Sequence, residues 1–216
     1  MREGFALVPQ VLGAPEQQAL LDILGQVTGA GRRGLLRIPE VFQLASSERL
    51  LLLVGTYLPA QAHPVRAIYF DKSPEANWHV AWHQDLTIAV EQRVDLPGYG
   101  PWSVKDGMVH VQPPIKCLEE MLTVRIHLDD ADESNGALRV LPGTHTLGRL
   151  GHGQIQELRS GNEEVLCVAH SGDALLMRPL LLHASGRSTS PRHRRVLHIE
   201  YAGFALPAEL RWNAAA

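Results

Sequence analysis

The sequence predicts a mainly β fold, an antiparallel sandwich or barrel with helices bracing one outer face, and three observations carry that expectation. From His63 onward the chain is a series of short β-prone runs, VRAIYF, WHVAWHQ, LTIAV, MVHVQ, LTVRIHL, ALRVLP, VLCVA, DALLMRP and RVLHIEYA, punctuated by Gly, Pro, Asn and Asp. Helical periodicity is confined to the first quarter. The 216 residues, 45% hydrophobic and 20% charged, suit one compact core. The expected layout is a single domain over residues 1–216, helical to about residue 60, with a barrel from about 63 to 203.

Taken in order, a short apolar segment over residues 5–8 precedes Pro15, which opens a helix through EQQALLDILGQV. Leu20, Leu21, Leu24 and Val27 fall there at helical spacing. The GAGRRG stretch reads as a mobile loop. A second helix is expected from Ser46, whose hydroxyl can cap a run ending near Leu58. Within the strand-rich part, residues 91–114 hold Pro97, Gly98, Gly100, Pro101, Gly107, Pro113 and Pro114, too long a stretch for a hairpin turn. Long loops on compact domains usually serve function or are disordered, and Tyr99 with Trp102 argues for order. Asn135 and Gly136 predict a tight hairpin connection, and residues 142–145 a turn after a barrel strand.

Charge and composition exclude several function classes. Twenty Lys plus Arg against 23 Asp plus Glu give a net charge of -3, with no broad basic footprint for nucleic acid or an anionic membrane. Pro9, Gly13 and Pro15 interrupt the early apolar residues before they reach signal-peptide length, and the longest apolar stretch, residues 50–54, is far short of a membrane span. Cys117 and Cys167 are too few for a disulfide scaffold and form no Cys-x-x-Cys pair, as expected of reduced thiols in a cytoplasmic protein. A small molecule is then the expected partner, and the oligomeric state stays open. Histidine stands out, at 11 residues.

A non-haem iron site needs two imidazoles and one carboxylate on one face of the metal, and His-x-Asp at a strand end supplies two of the three compactly. Three pairs have that spacing: His83 with Asp85, His127 with Asp129, and His198 with Glu200. With 11 His and nine Asp, about half a His-x-Asp is expected by chance, so context must separate them. His83 and Asp85 lie just before the long loop, where a barrel strand opens to solvent. Asp129 begins the turn DDADESNG and serves simply as a turn former. His198 and Glu200 lie mid-strand. A distant third ligand is offered by His183 in PLLLHASG, which ends an apolar strand; a satisfied core histidine would read the same. The following cluster PRHRRVLHIEY runs into a strand, where an inward arginine is costly unless it meets an anion such as a dicarboxylate.

These segments, GFALVPQVL, WHQD, LDDADESNGALRVLPGTH and HASGRSTSPRHRRVLHIEY, resemble the phytanoyl-CoA dioxygenase family of Fe(II)- and 2-oxoglutarate-dependent oxygenases, over residues 4–203. The resemblance implies a double-stranded β-helix, a cupin-like jelly-roll barrel, with iron held by His83, Asp85 and His183. It also implies that Arg194, eleven residues past His183, pairs with the distal carboxylate of 2-oxoglutarate, with Arg195 as the alternative. Alternation along a strand lets only one of the two enter the barrel. Ser185 matches a position that hydrogen-bonds the same carboxylate, and Thr123 lies where a polar side chain contacts the cosubstrate. A turn hydroxyl and an ordinary strand residue are the simpler readings of these two.

The resemblance further implies O2 as oxidant, oxidative decarboxylation of 2-oxoglutarate to succinate and CO2, and hydroxylation of a substrate C–H bond. A carboxylate at Asp85 fills the position that halide takes in related halogenases. Arg125 and His127, expected inward with Thr123, are candidate substrate contacts, with Trp102, Lys105 and His110 of the long stretch behind them. The cations suggest a small polar or anionic substrate. Two other readings stand beside it: a cupin-like metalloenzyme that does not use 2-oxoglutarate, and a binding module without turnover.

Overall fold

The structure is a computed structural model describing residues 1–213 apart from Thr28 and Ala30. The chain runs β1 (Phe5–Val8), α1 (Ala14–Leu24), β2 (Gly31–Arg32), α2 (Pro39–Ala45), α3 (Glu48–Gly55), β3 (His63–Lys72), β4 (Val80–His83), β5 (Ile88–Val90), β6 (Trp102–Lys105) and β7 (Met108–Val111). It continues through α4 (Ile115–Glu119), β8 (Met121–His127), β9 (Leu138–Val140), α5 (His152–Gly161), β10 (Val165–Cys167), β11 (Ala174–Met177), β12 (His183–Ser185) and β13 (Arg194–Ala202). No helix among the described residues is long and apolar enough to cross a membrane.

Two antiparallel sheets form the barrel, in the orders β1-β11-β8-β13-β3-β2 and β10-β9-β12-β4. Successive strands from β10 to β13 change sheets at each step, and β3, β4, β8 and β9 do likewise around an inserted hairpin, which is the double-stranded β-helix. Strand alternation divides the large sheet. Val124, Ile126, Leu197 and Ile199 face outward into one cluster with Leu20, Leu24, Leu50 and Val54 of the helices, so α1–α3 brace that face as the sequence predicts. The Tyr201 hydroxyl donates to the Ala45 carbonyl at 2.9 Å and ties the helical layer to β13. The alternate residues, Arg125, His127, His198 and Glu200, point into the barrel.

Several local expectations are corrected. The helix expected from Ser46 is α3, capped by Ser47, not Ser46, whose hydroxyl accepts from the Leu50 backbone N–H at 3.4 Å, and an unexpected helix, α2, precedes it with Pro39 at its first turn. Of GAGRRG, Ala30 lies outside the described residues, while Gly31 and Arg32 pair with β3. A Cβ on Gly31 would collide with the Tyr69 carbonyl, so glycine is what lets β2 close on that edge. The long stretch after β5 is an ordered hairpin, β6 and β7, which joins β5 in a third sheet. Its apolar residues Ile88, Val90, Trp102 and Val111 pack with Leu210 and Trp212 of the C-terminal segment, whose last three residues lie outside the described ones. Asn135 and Gly136 do not join a hairpin, because β8 and β9 lie in different sheets; they turn the chain from one sheet to the other.

Candidate metal and cosubstrate site

His83 ends β4, Asp85 follows it, and His183 starts β12 directly opposite His83 in the ladder. Their ligand atoms all lie within 4.8 Å of one another. The Asp85 carboxylate approaches His83 Nε2 at 3.7 Å and His183 Nε2 at 3.6 Å. Each ring spends its other nitrogen on the backbone: Nδ1 of His83 donates to the Ala81 carbonyl at 2.8 Å and Nδ1 of His183 to the Leu181 carbonyl at 2.9 Å. That fixes the tautomer and turns both Nε2 lone pairs toward the same point, as metal-ligating imidazoles require.

Gln84, between the two ligands, is buried and points the other way. Its amide donates to the Gly148 and Leu180 carbonyls at 2.8 and 2.7 Å and accepts from the Leu150 N–H at 2.8 Å. With the Asp85 N–H donating to Pro179 at 2.8 Å, this clamps the His-Gln-Asp turn to two neighbouring loops. Burial alone would raise the Asp85 pKa, but the His183, His198 and His83 imidazoles and Arg66 outweigh it and hold the carboxyl below its usual range. Burial pushes His183 down to about 4, so at neutral pH it offers a neutral imidazole beside the Asp85 carboxylate. This donor set, two imidazole Nε2 atoms and one anionic oxygen converging on one point, fits ferrous iron.

The three residues form one wall of a cavity of about 180 Å³. Phe70, Trp78, Val80 and Leu138 give it apolar sides, and Ser185 and Arg194 line it as well. Arg194 is 3% exposed, and its Nε and Nη1 are buried with no hydrogen-bond partner among the described residues. Arg195, on the opposite face of β13, is bound by both oxygens of Asp129 at 2.7 Å, so the inward arginine is Arg194. Burial and then the Arg125 charge push the Arg194 pKa down to about 9, which leaves it cationic at neutral pH. An unpaired buried guanidinium is an anion site waiting for its anion.

Lys72, which the sequence reading missed, faces Arg194 across the β3–β13 ladder. Its ammonium donates to Ser185 Oγ at 2.8 Å and to the Gly186 carbonyl at 2.5 Å, and lies 5.1 Å from the Trp78 ring centre. Burial, then Arg194 and Arg125, push its pKa down to about 7. Gly136, at φ +74°, makes room for it: a Cβ there would sit 3.2 Å from Lys72 Nζ and 2.5 Å from the Gly186 carbonyl oxygen.

A model of the phytanoyl-CoA dioxygenase family matches residues 1–196. The chain belongs to that family. The peroxisomal phytanoyl-CoA dioxygenase of Bos taurus is 33% identical over 89 residues, which cover 35% of this chain and 26% of the bovine protein. AviO1 from Streptomyces viridochromogenes Tue57 shares the fold at a TM-score of 0.67 and 23% identity, over 95% of this chain and 92% of that one. The epimerase SnoN of nogalamycin biosynthesis, solved with Fe3+, alpha ketoglutarate and nogalamycin RO, shares it at 0.68 and 18% identity, over 93% and 79%.

The remaining residues expected at the site of this phytanoyl-CoA dioxygenase family member are placed as follows. Arg125 lines the cavity. Thr123 is buried on the same strand, level with Glu200 of β13 and Met177 of β11, away from the cavity lining. His127 is buried with neither ring nitrogen partnered among the described residues, and burial with Arg125 and Arg194 pushes it down to about 3. Trp102, Lys105 and His110 sit on the third sheet rather than around the cavity. Trp102 packs in the apolar cluster there, while Lys105 reaches Thr87 Oγ1 at 3.4 Å. His110 is fully buried and pushed down to about 4 by burial and by Arg66. Of His198 and Glu200, set aside in the sequence, His198 lines the cavity and accepts from Arg125 at Nδ1, while its Nε2 donates to Glu200.

Proposed function

We propose that this phytanoyl-CoA dioxygenase family member is an Fe(II)- and 2-oxoglutarate-dependent dioxygenase that hydroxylates a C–H bond of a small polar or anionic molecule in the cytoplasm. The observation that carries the reading is one cavity holding both halves of such a site. His83, Asp85 and His183 converge within 4.8 Å on one wall, and Arg194 lines the same cavity with Nε and Nη1 unpartnered.

Bound there, ferrous iron and 2-oxoglutarate supply the chemistry: O2 is split between succinate, formed with loss of CO2, and the hydroxyl group placed on the substrate. The protein's part is orientation, charge and exclusion of water. His83 and His183 present Nε2, each held by its backbone carbonyl, and Asp85 supplies the anionic oxygen. Arg194 binds the distal carboxylate of the cosubstrate, with Lys72 and the Ser185 hydroxyl beside it. Phe70, Trp78, Val80 and Leu138 keep the reacting end dry.

The test is anaerobic. Metal-free protein is given Fe(II), then 2-oxoglutarate, and the visible charge-transfer absorption of a keto acid chelated to iron is followed in wild type and Arg194→Ala. The band is expected in both, with the variant needing on the order of 100-fold more cosubstrate. Iron binding without a band supports a cupin-like enzyme that does not use 2-oxoglutarate.

A further inference from the structure

The charges in the cavity do not balance with metal and cosubstrate alone. A ferrous ion, the Asp85 carboxylate, the two carboxylates of 2-oxoglutarate and Arg194 sum to zero before the Lys72 ammonium beside Ser185 is counted. Arg125 is then a further full positive charge in the same cavity, 6% exposed, with no carboxylate of a described residue in hydrogen-bond contact. Its Nε is buried without a partner, Nη1 donates to His198 Nδ1 at 2.8 Å, and Nη2 makes no hydrogen bond to any described residue. Its guanidinium carbon lies 5.7 Å from the Phe70 ring centre. A buried guanidinium in this state is costly unless an anion completes it.

Arg125 is also held in one orientation. Because guanidinium can only donate, His198 accepts at Nδ1 and carries its proton on Nε2, which it donates to Glu200 Oε1 at 3.2 Å. The same carboxylate oxygen is 3.3 Å from Arg66 Nη1, so the Glu200 charge is balanced by Arg66 and is not available to Arg125. The chain crosses three adjacent strands, with Arg125 level with His198 and Glu200 level with Arg66 in the ladders. Burial holds His198 neutral, which keeps its Nδ1 lone pair for Arg125. A fixed donor, stacked on an aromatic ring and braced from behind, is how an acid group is gripped with defined geometry.

Resting on the dioxygenase reading, we infer that the primary substrate is a carboxylic acid or a like monoanion, anchored by Arg125 within the metal cavity, with His198 and Glu200 as positioning residues. A single cavity-lining guanidinium with an unpartnered buried Nε grips a single acid group, so the substrate class is an acid rather than a neutral molecule or a cation.

The experiment uses protein loaded anaerobically with Fe(II) and 2-oxoglutarate, and measures calorimetric binding of a panel of small carboxylic acids, each paired with its primary carboxamide. Wild type should bind one or more acids, with the matching amide at least about tenfold weaker. Arg125→Met, which replaces a buried charge by an apolar side chain of similar length and so retains the fold, should lose at least about 30-fold in acid affinity. It should hold 2-oxoglutarate within about threefold of wild type, while Arg125→Lys keeps part of the acid binding. Amides binding as well as acids, acids binding equally to Arg125→Met, or a panel in which no acid binds would overturn the inference. A loss of more than about tenfold in 2-oxoglutarate affinity in Arg125→Met would reassign the residue to the cosubstrate. Absence of 2-oxoglutarate binding in wild type would instead remove the dioxygenase reading itself.

Discussion

Arg194 on β13 and Lys72 on β3 stand opposite each other in one ladder, two buried cations without a carboxylate between them. Arg194 lowers the proton affinity of Lys72, and an anion between them relieves burial and repulsion together. This makes Lys72 a second support for the cosubstrate carboxylate. Lys72→Met should weaken 2-oxoglutarate on the order of tenfold, less than Arg194→Ala, because Arg194 offers more donors. Fluorescence or optical titration of the iron-loaded protein checks the ranking, and a Lys72→Met affinity equal to wild type would contradict it.

The same lysine sets a pH dependence. Burial, Arg194 and Arg125 push Lys72 down to about 7 in the folded protein from the ordinary lysine value of 10.5 that it regains when unfolded. Between those values the unfolded chain holds a proton that the folded one has released, so the metal-free protein gains stability as pH rises from about 7 to 10.5. Urea midpoints at about pH 7 and pH 9.5 should differ in wild type, and that difference should shrink in Lys72→Met. Cosubstrate affinity should run the other way and fall above about pH 7, where the ammonium loses its charge.

Buried histidines shape the acid side. His110 and His183 are pushed down to about 4 and His127 to about 3 from 6.5, so they stay neutral in the folded chain while the unfolded chain takes up protons. Stability of the metal-free protein is therefore lost progressively as pH falls below about 6.5, through the folded values. Circular dichroism melts of wild type and His110→Phe across that range should show a smaller acid loss in the variant.

Gln84 links the metal wall to two loops by three buried hydrogen bonds. Gln84→Ala should cost about 3 kcal/mol of stability, because a backbone N–H and two carbonyls lose their partner. Metal affinity should fall by about tenfold or more as the turn between His83 and Asp85 loosens. By contrast Leu197→Ala, in the core under the helices, should cost about 3 kcal/mol with metal affinity unchanged. Equal metal affinity in wild type and Gln84→Ala would show that the clamp is dispensable.

Much of this was legible in the sequence because the ligand pattern is local. The two-residue spacing of His83 and Asp85 at a strand end, and the alternation that lets only one of Arg194 and Arg195 enter the barrel, follow from strand geometry. Arg194 as the inward one is implied by the family resemblance, and the Arg195 pairing with Asp129 was not foreseen. Lys72 escaped because β3 runs two residues beyond Phe70, and a lysine at a strand end reads as solvated. The hairpin β6–β7 escaped because Gly and Pro dominate the local signal, while the apolar face that orders it meets Leu210 and Trp212 from far along the chain. Thr123, Arg125 and His127 do share one face, as alternation predicts. Which of them reaches the cavity depends on depth along β8, and that is set by the register with β13.

The most direct test of the central claim is to incubate iron-loaded protein with 2-oxoglutarate under 18O2 and to analyse the succinate by mass spectrometry. Oxidative decarboxylation at the His83, Asp85 and His183 site predicts succinate carrying one 18O, released together with CO2, and none from His183→Ala. Unlabelled succinate, or labelled succinate formed equally by His183→Ala, would contradict it.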